Sequence, residues 1–292
     1  MSSVSQLLPP LKGAQEEPKP HVSVSQINEY RDCSAYYMFH YIYKIRTQSK
    51  SFLTIGKSVA KGLEINFKQK IGSKLDLPIK DIKEVTAQEF KDLMLDTKWD
   101  SDEEPGEIKD LTVKLVELYM GNIAATIQPI YVEERITVDI PEIKMPVIFI
   151  PDVIDENGII HDTKTAGKSP SGLVTLGEQC EPPKSKKKQP TDGDNIVTEA
   201  DQSFQLSGYC LGYKFLTGKM ASGVQLDYLI KTKNPKCGYL KSTRTERDIQ
   251  RFINVANAAI DGIKSGIFMP DEKSWKCGPD KCDFWELCHR EF

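Results

Sequence analysis

The sequence predicts an α/β protein whose central sheet is antiparallel or mixed and is flanked by helices. Apolar residues recur at helical spacing up to residue 128 and switch to the two-residue period of strands between residues 131 and 164. Helix, strand and helix patterns follow. Such an order of elements buries its apolar surface when helices cover a sheet. A chain of 292 residues forms one large domain of this class or two smaller ones.

The first part of the chain predicts helices. The segment SVSQINEYRDCSAYYMFHYIYKI at residues 23–45 begins with serines that favour a helix start, and it predicts two short helices or one bent helix. At residues 55–70, an apolar stripe is formed by Val59, Leu63 and Phe67, which are spaced four residues apart. Two further helices are predicted, at residues 84–97 and 106–128.

The middle of the chain predicts three strands. They lie in YVEERITVDI (131–140), KMPVIFIPDVI (144–154) and GIIHDTK (158–164). The remaining elements are predicted as a helix, a strand and a long helix, at residues 199–216, 223–232 and 246–266. The basic segment KSKKKQPTDGD (184–194) indicates a solvated, flexible loop, with contact to DNA phosphates as the alternative.

Composition and charge describe an ordinary globular protein. Hydrophobic residues make up 39% and charged residues 28%, and a net charge of −3 neither predicts nor excludes a nucleic-acid partner. No apolar run is long enough to cross a bilayer, so no membrane partner is expected. Residues 1–22 lack the pattern of a secretory signal and are expected to form a flexible tail. We expect a single domain at residues 23–292 and a cytoplasmic location.

The stretch IPDVIDENGIIHDTKTAG, at residues 150–167, places acidic residues in predicted strands, where they are unfavourable. Asp152 lies near the end of one strand, and Asp162 and Lys164 share a face of the next strand because side chains alternate. The intervening turn can bring Asp152 beside Asp162, and Asp155 is interpreted as a residue of that turn. The sequence therefore predicts two carboxylates and an ammonium group on one patch.

Such a patch has the groups needed to hydrolyse a phosphodiester. Two carboxylates bind a hard cation such as Mg²⁺ or Mn²⁺, which lowers the pKa of a bound water. A lysine can position that water or stabilise the negative charge of the transition state. The alternative interpretation is a structural ion pair among Asp152, Asp162 and Lys164.

Four segments of the chain resemble the PD-(D/E)XK nuclease superfamily and, within it, RecB-like and CRISPR adaptation nucleases. Asp152 follows a proline and is separated by nine residues from the Asp-Thr-Lys sequence that begins at Asp162, which matches the pattern that names the superfamily. The segment at residues 23–45 resembles the opening helices of RecB-like domains, with Ser34 where they have proline. GKSVAKGLE and QLSGY resemble their Gly-x-x-x-His-x-x-Leu-Glu and Gln-x-x-x-Tyr helices.

The resemblance covers residues 23–288 and implies a restriction-endonuclease-like core. It assigns Asp152, Asp162 and the backbone carbonyl of Thr163 as metal ligands, and Lys164 as the catalytic lysine. Further members of the implied active site are Glu64, which completes the metal shell, and Gln205 and Tyr209, which contact DNA or brace the lysine.

One position departs from the family. The metal-binding histidine of RecB-like nucleases falls at Ala60, whose methyl group cannot bind a metal. Either the site uses carboxylates and water alone, or its activity is weakened. His161 is expected to point to the face of its strand opposite to Asp162.

Cysteines are concentrated near the end of the chain. WKCGPDKCDFWELC contains Cys277, Cys282 and Cys288, and Cys33 lies near the start. In some RecB-like nucleases, including the AddB subunit and CRISPR adaptation nucleases, a similar set binds a 4Fe–4S cluster that fastens the C-terminal segment to the N-terminal helices. The resemblance implies such a cluster for Cys33 and residues 268–292, with Zn²⁺ as the alternative. Unligated, reduced thiols are the remaining interpretation.

The function implied is that of a metal-dependent DNA exonuclease acting on single-stranded or open DNA ends in recombination, repair or spacer processing. The chain contains no Gly-x-x-x-x-Gly-Lys-Ser/Thr sequence and is not expected to unwind DNA itself. A protein partner such as a helicase, a recombinase or a CRISPR adaptation complex is therefore expected. The alternative function is a weakened nuclease that holds DNA ends for a larger complex. A viral chain would act in the cytoplasm of its host.

Overall fold

The structure, a computed structural model, describes residues 21–176 and 197–292. Most of the tail expected at residues 1–22 and all of the basic segment at 184–194 lie outside the described residues. The chain divides into two compact units, each composed of segments distant in sequence. The sheet unit consists of Gln48–Val138 and Ile148–Asn254, and the cysteine unit consists of the residues up to Thr47, Asp139–Val147 and Val255–Phe292.

The described residues contain helices at both ends of the chain and between the strands. They are α1 (Val24–Asp32), α2 (Ser34–Tyr37), α3 (Ser51–Ser73), α4 (Ile79–Met94), α5 (Pro105–Asn122), α6 (Glu199–Gln202), α7 (Phe204–Thr217), α8 (Glu246–Lys264) and α9 (Trp285–Glu291). A π-helical turn at Met38–Ile42 follows α2, and a 3-10 turn at Ala124–Thr126 follows α5.

The strands are mostly short. They are β1 (Val22–Ser23), β2 (Ser49–Lys50), β3 (Thr97–Lys98), β4 (Pro129–Val132), β5 (Ile136–Val138), β6 (Val147–Phe149), β7 (Val153–Asp155), β8 (Ile159–Ala166), β9 (Val174–Leu176), β10 (Gly223–Ile230) and β11 (Lys236–Ser242).

A mixed six-stranded sheet forms the centre of the sheet unit. Its strand order is β4-β7-β8-β10-β11-β9. β8 and β10 are parallel, and the chain between them includes α6 and α7, as a parallel pair requires a crossover connection. The other neighbouring pairs are antiparallel. The prediction of a mixed α/β fold is confirmed.

Helices α3, α4 and α5 supply the largest apolar core of the sheet unit. The predicted stripe of Val59, Leu63 and Phe67 is buried against residues of α4 and α5. Burial of each such side chain stabilises the fold by about 1.5–3 kcal/mol. Gly62 permits the close approach of α3 to α4, because a Cβ atom there would lie 2.2 Å from Oγ1 of Thr86. This packing fixes the face of α3 that carries Glu64.

The strand predictions need correction in three places. KMPVIFIPDVI forms β6 and β7, which lie in different sheets, rather than one strand. YVEERITVDI forms β4 and β5 rather than one strand, because Glu133 adopts a left-handed backbone conformation with φ of 50°. The strand β11 was not predicted from the sequence. It pairs with β10 over seven positions, from Val224 opposite Ser242 to Ile230 opposite Lys236. Its pairing with a buried neighbour, rather than its own composition, makes it a strand.

The cysteine unit packs its N-terminal helices against the C-terminal segment. Met38 and Phe39 form a buried apolar cluster with Phe284. The backbone N–H of Ala35 donates to the carbonyl of Met269 at 3.1 Å. These contacts confirm the predicted packing of the two ends of the chain. None of the helices in the described ranges combines the length and apolar character needed to cross a membrane.

Candidate active site

The hairpin of β7 and β8 brings Asp152 beside Asp162. The strands are antiparallel, with Val153 opposite His161, so Asp152 lies opposite Asp162. The Oδ2 atom of Asp152 accepts a hydrogen bond of 2.7 Å from the backbone N–H of Thr163. The two carboxylates therefore lie side by side, as the sequence predicts.

Asp155 stabilises the turn of this hairpin. Its Oδ1 atom accepts hydrogen bonds from the backbone N–H groups of Asn157 at 3.0 Å and Ile159 at 2.8 Å. Gly158 adopts φ of 75° within the same turn, a conformation that favours glycine. The interpretation of Asp155 as a turn residue agrees with these contacts.

Lys164 contacts the acidic pair from the same face of β8. Its Nζ atom lies 2.6 Å from Oδ2 of Asp162 and donates to Oε1 of Gln205 at 3.3 Å. Burial alone lowers the pKa of Lys164, but the carboxylates of Asp162 and Asp152 outweigh it and raise the pKa above its usual value. Burial and the neighbouring Asp162 raise the pKa of Asp152 well above its ordinary range. Lys164 is therefore a cation at neutral pH.

Helix α7 places Gln205 between the acidic pair and Tyr209. Nε2 of Gln205 donates to Oδ1 of Asp162 at 3.1 Å and to the hydroxyl of Tyr209 at 2.6 Å. The two α7 residues are one helical turn apart and share a face. Gly212 permits α7 to approach β6 closely, because a Cβ atom there would lie 2.8 Å from the ring of Phe149. The amide thus holds one oxygen of the acidic pair.

Glu64 lies on α3 and borders the same site. A cavity of about 20 Å³ is lined by Glu64, Asp152, Thr163 and Ala60, among others. The two carboxylate oxygens of Glu64 pair with lysines of α3, namely Lys68 at 2.6 Å and Lys61 at 3.0 Å. Its hydrogen bond to Lys68 is the main reason that the pKa of Glu64 is lowered.

Glu133 is a member of this group that the sequence analysis missed. It lines the same small cavity as Glu64 and Asp152. Burial, and then the nearby charge of Glu64, raise the pKa of Glu133 above its usual value. A glutamate within a predicted strand was the only local signal, and its position beside Asp152 depends on the pairing of β4 with β7.

His161 lies on the opposite face of β8, as predicted. Its Nδ1 atom lies 3.3 Å from Oδ2 of Asp227, and its Nε2 atom lies 3.7 Å from Oδ2 of Asp155. Burial lowers the pKa of His161, but the nearby carboxylates of Asp155 and Asp227 outweigh it and raise the pKa to about 9. Asp227 also accepts a hydrogen bond of 2.9 Å from the hydroxyl of Tyr119. The imidazolium is a structural cation and does not face the acidic pair.

All four cysteines singled out in the sequence line one cavity of the cysteine unit. This cavity of about 270 Å³ is bordered by Cys33, Cys277, Cys282 and Cys288. None of the four is in a disulfide. Burial, together with the neighbouring thiols led by Cys33, raises the pKa of Cys288 to about 11. The structure therefore brings the predicted set together.

Neither site has a preformed metal-binding arrangement. Across residues 21–176 and 197–292, no three His, Cys, Asp or Glu side chains are arranged to hold a metal ion. In the sheet unit, this reflects the occupation of carboxylate oxygens by amines, such as Lys164 on Asp162 and Lys68 on Glu64. The chemistry of the donors nonetheless suits a hard cation in the sheet unit and a thiophilic metal in the cysteine unit.

The family model of the PD-(D/E)XK nuclease superfamily matches residues 21–179, which is more than half of the chain. The chain belongs to this superfamily. The matched range of this nuclease contains Glu64, Glu133, Asp152, Asp162 and Lys164. The resemblance to the superfamily is therefore confirmed, and DNA is the substrate that membership implies.

The fold of the nuclease is similar to that of one solved structure, and a second match is much weaker. One is a protein from Eubacterium rectale described as a "Putative exonuclease", which shares 12% sequence identity with a TM-score of 0.59. The alignment covers 94% of this chain and 89% of that protein. Another is SSO0001, with 12% identity, coverage of 92% and 94% respectively, and a TM-score of only 0.31. No curated protein matches the nuclease.

Proposed function

We propose that this nuclease cuts DNA in a metal-dependent reaction and acts as an exonuclease on single-stranded or open ends. The observation that carries the proposal is the contact of Lys164 with Asp162, with Gln205 bonded to both. A lysine held between a carboxylate and an amide is positioned to receive a phosphate oxygen. The resemblance to RecB-like nucleases and the "Putative exonuclease" fold support the finer assignment to exonucleases.

The donors of the sheet site fit Mg²⁺ or Mn²⁺. Asp152, Asp162, Glu64 and the carbonyl of Thr163 offer only oxygen ligands, which both cations prefer. A bound cation would supply an activated water and offset negative charge on the phosphate. Asp162 would bind the cation with the carboxylate that now contacts Lys164, and the ammonium group of Lys164 would then be available to a phosphate oxygen.

Lys164 carries the charge that the transition state needs. The carboxylates of Asp162 and Asp152 outweigh burial and raise the pKa of Lys164, which therefore carries a positive charge beside the acidic pair. Its ammonium group stabilises negative charge that develops on a phosphate oxygen. Gln205 orients Asp162 and Lys164, and Tyr209 orients the amide of Gln205 through its hydroxyl.

A cleavage assay tests this proposal. End-labelled single- and double-stranded DNA are incubated with Mg²⁺, Mn²⁺ or EDTA and with wild-type or Asp162→Ala protein. We expect metal-dependent products from the wild type and none from the variant, and the size distribution of products distinguishes exonuclease from endonuclease action. DNA binding without cleavage in any metal would contradict the nuclease proposal and favour the second candidate, an end-holding subunit, for which Ala60 is the supporting observation.

We also propose that Cys33, Cys277, Cys282 and Cys288 hold a 4Fe–4S cluster, with Zn²⁺ as the alternative. Support comes from the shared cavity and from the absence of a disulfide at these four thiols. Anaerobic purification followed by iron, sulfide and zinc analysis distinguishes the two. Iron and sulfide with charge-transfer absorbance near about 400 nm indicate the cluster, since iron–thiolate ligation is its chemistry. Purified protein that contains neither iron nor zinc would contradict both the 4Fe–4S cluster and the Zn²⁺ site.

The family resemblance also supports proposals about domain organisation, location and partners. A single-domain arrangement at residues 23–292, a cytoplasmic location and a protein partner that opens DNA ends are proposed on the family resemblance. Size-exclusion chromatography of the purified protein with a candidate helicase, recombinase or CRISPR adaptation complex measures the last of these directly.

A further inference from the structure

Glu133 lies directly across from Asp152 at the edge of the hairpin. β4 pairs antiparallel with β7, with Val132 opposite Val153, and this register places Glu133 opposite Asp152. The backbone N–H of Glu133 donates to the carbonyl of Asp152 at 3.1 Å and to that of Pro151 at 3.2 Å. The position of Glu133 is thus fixed to the residue that begins the superfamily pattern.

The small cavity beside Asp152 has both polar and apolar lining residues. Its polar lining consists of Glu64, Glu133, Asp152 and Thr163. Its remaining lining is apolar and consists of Ala60, Leu63, Phe67, Val132 and Val153. A volume of about 20 Å³ holds one water-sized sphere. Three carboxylates therefore border a space large enough for a single small ion or water.

Glu133 differs from the other two carboxylates in its contacts. Glu64 pairs with Lys61 and Lys68, and Asp152 accepts from the backbone of Thr163. In the described ranges of the chain, no hydrogen bond or ion pair shorter than 4.0 Å engages the carboxylate of Glu133. An ionised, half-buried carboxylate with two acidic neighbours and no such partner is unfavourable unless it gains a proton or a cation joins it.

We propose that Glu133 is a ligand of the divalent cation and supplies the group that Ala60 lacks. Ala60 offers a methyl group to the same cavity, whereas Glu133 offers a carboxylate from the end of β4. This inference rests on the proposed metal-dependent nuclease function. The cation site then consists of carboxylates from α3, from the end of β4 and from the β7–β8 hairpin.

Metal titration without DNA tests the ligand role. Isothermal titration calorimetry with Mn²⁺ compares wild type, Glu133→Gln and the control Glu134→Gln, which changes the exposed neighbouring glutamate. We expect Glu133→Gln to weaken Mn²⁺ binding by about tenfold or more, because even groups outside the ligand shell alter metal affinity by roughly 10–100-fold. Glu134→Gln should bind as the wild type does. Equal affinity in wild type and Glu133→Gln overturns the inference.

Two additional readouts keep this test decisive. Without metal, the melting temperature of folded Glu133→Gln should be no lower than that of wild type, because the change removes one of three neighbouring negative charges. If Glu133 were only a structural residue, the variant would have a lower melting temperature. If the variant does not fold, anomalous diffraction from Mn²⁺-soaked wild-type crystals decides the question. An Mn²⁺ peak within about 2.0–2.6 Å of a Glu133 oxygen supports the role, and a peak bound only by other residues overturns it.

Failure of this inference differs from failure of the nuclease proposal. If the wild type binds Mn²⁺ and cuts DNA while Glu133→Gln binds Mn²⁺ equally well, only the role of Glu133 is wrong. If the wild type neither binds Mn²⁺ nor cuts DNA, the proposed function itself is wrong.

Discussion

The sheet unit and the cysteine unit both gather cation-binding side chains, but among the described residues only those of the sheet unit pair with charged groups. Lys164 lies 2.6 Å from Asp162, and Glu64 pairs with two lysines. The thiols around the cysteine cavity have no disulfide, and the pKa of Cys288 is raised to about 11 by burial and by the neighbouring thiols. Thiols must lose protons to bind a metal, so binding couples to folding more strongly there.

This contrast indicates two different uses of a metal. The sheet site can fold before its cation arrives, because the carboxylates of Asp152, Asp162 and Glu64 contact backbone, amide or ammonium groups. The metal or cluster proposed for the cysteine unit would contribute part of the stability of that unit. The predictions below test each half of the contrast.

The largest expected effect is on the cysteine unit. Cys282→Ser should lose the bound metal and a large part of its stability, since structural zinc contributes about 10–16 kcal/mol of apparent free energy in small domains at neutral pH. Thermal unfolding followed by tryptophan fluorescence measures it, and two of the three tryptophans, Trp275 and Trp285, lie in this unit. Cys210→Ser, at a buried thiol of the sheet unit, is the control and should retain the metal. Equal stability of Cys282→Ser and wild type would remove the contrast.

The second effect concerns the charges that the sheet unit pairs internally. His161→Leu leaves Asp155 and Asp227 without their shared cation and should lower the free energy of unfolding by about 3–5 kcal/mol, as for other broken buried ion pairs. Urea denaturation measures the change. His40→Leu, at a histidine that is largely exposed, should have a much smaller effect. A loss of less than about 1 kcal/mol would show that the pairing is weak.

The same histidine gives the sheet unit a pH dependence. Its pKa is about 9 in the folded protein, above the usual histidine value of about 6.5 in the unfolded chain. The stabilisation from His161 is therefore complete below pH 6.5 and is lost as the pH rises to about 9. Denaturation curves between these pH values should show this loss in wild type and not in His161→Leu.

The third effect separates chemistry from stability in the sheet site. Lys164→Ala should lower the cleavage rate by about 10²–10³-fold, the usual effect of removing one donor that stabilises transition-state charge. Its melting temperature should fall only modestly, because the change leaves the buried carboxylate of Asp162 without its ion pair but removes a side chain that is itself partly exposed. Lys168→Ala, at an exposed lysine beyond the end of β8, is the control. Wild-type cleavage by folded Lys164→Ala protein would contradict the role of this lysine.

The smallest effect is expected for the group that positions the others. Gln205→Ala removes hydrogen bonds to charged Asp162 and Lys164, each worth about 1.5–3 kcal/mol, and should slow cleavage by roughly 10–100-fold. Single-turnover rates with saturating DNA measure this step. Gln202→Ala, at an exposed glutamine of α6, should leave the rate unchanged. An unchanged rate in Gln205→Ala would restrict the glutamine to a structural role.

Local spacing was enough to predict the centre of the site. The alternation of side chains and the short turn held by Asp155 place Asp152, Asp162 and Lys164 together without help from distant residues. The four-residue spacing of Val59, Leu63 and Phe67 likewise determines which face of α3 is buried. These features depend on contacts close in sequence. The spacing of the residues along the chain is therefore enough to predict them.

Contacts between distant segments were harder to predict. The strand β11 forms because a buried neighbour completes its hydrogen bonds, and its own residues have little strand character. Glu133 was missed for a related reason. Its place beside Asp152 depends on a strand pairing about twenty residues apart in sequence.

The sequence by itself determined the family, the hairpin and the identity of the acidic pair with its lysine. Only the tertiary structure decided that Gln205 bonds to Asp162 and Lys164, and that Glu133 lines one small cavity with Glu64 and Asp152. A hairpin is fixed by the residues it contains, whereas the distance between a helix and a strand depends on the packing of every side chain between them.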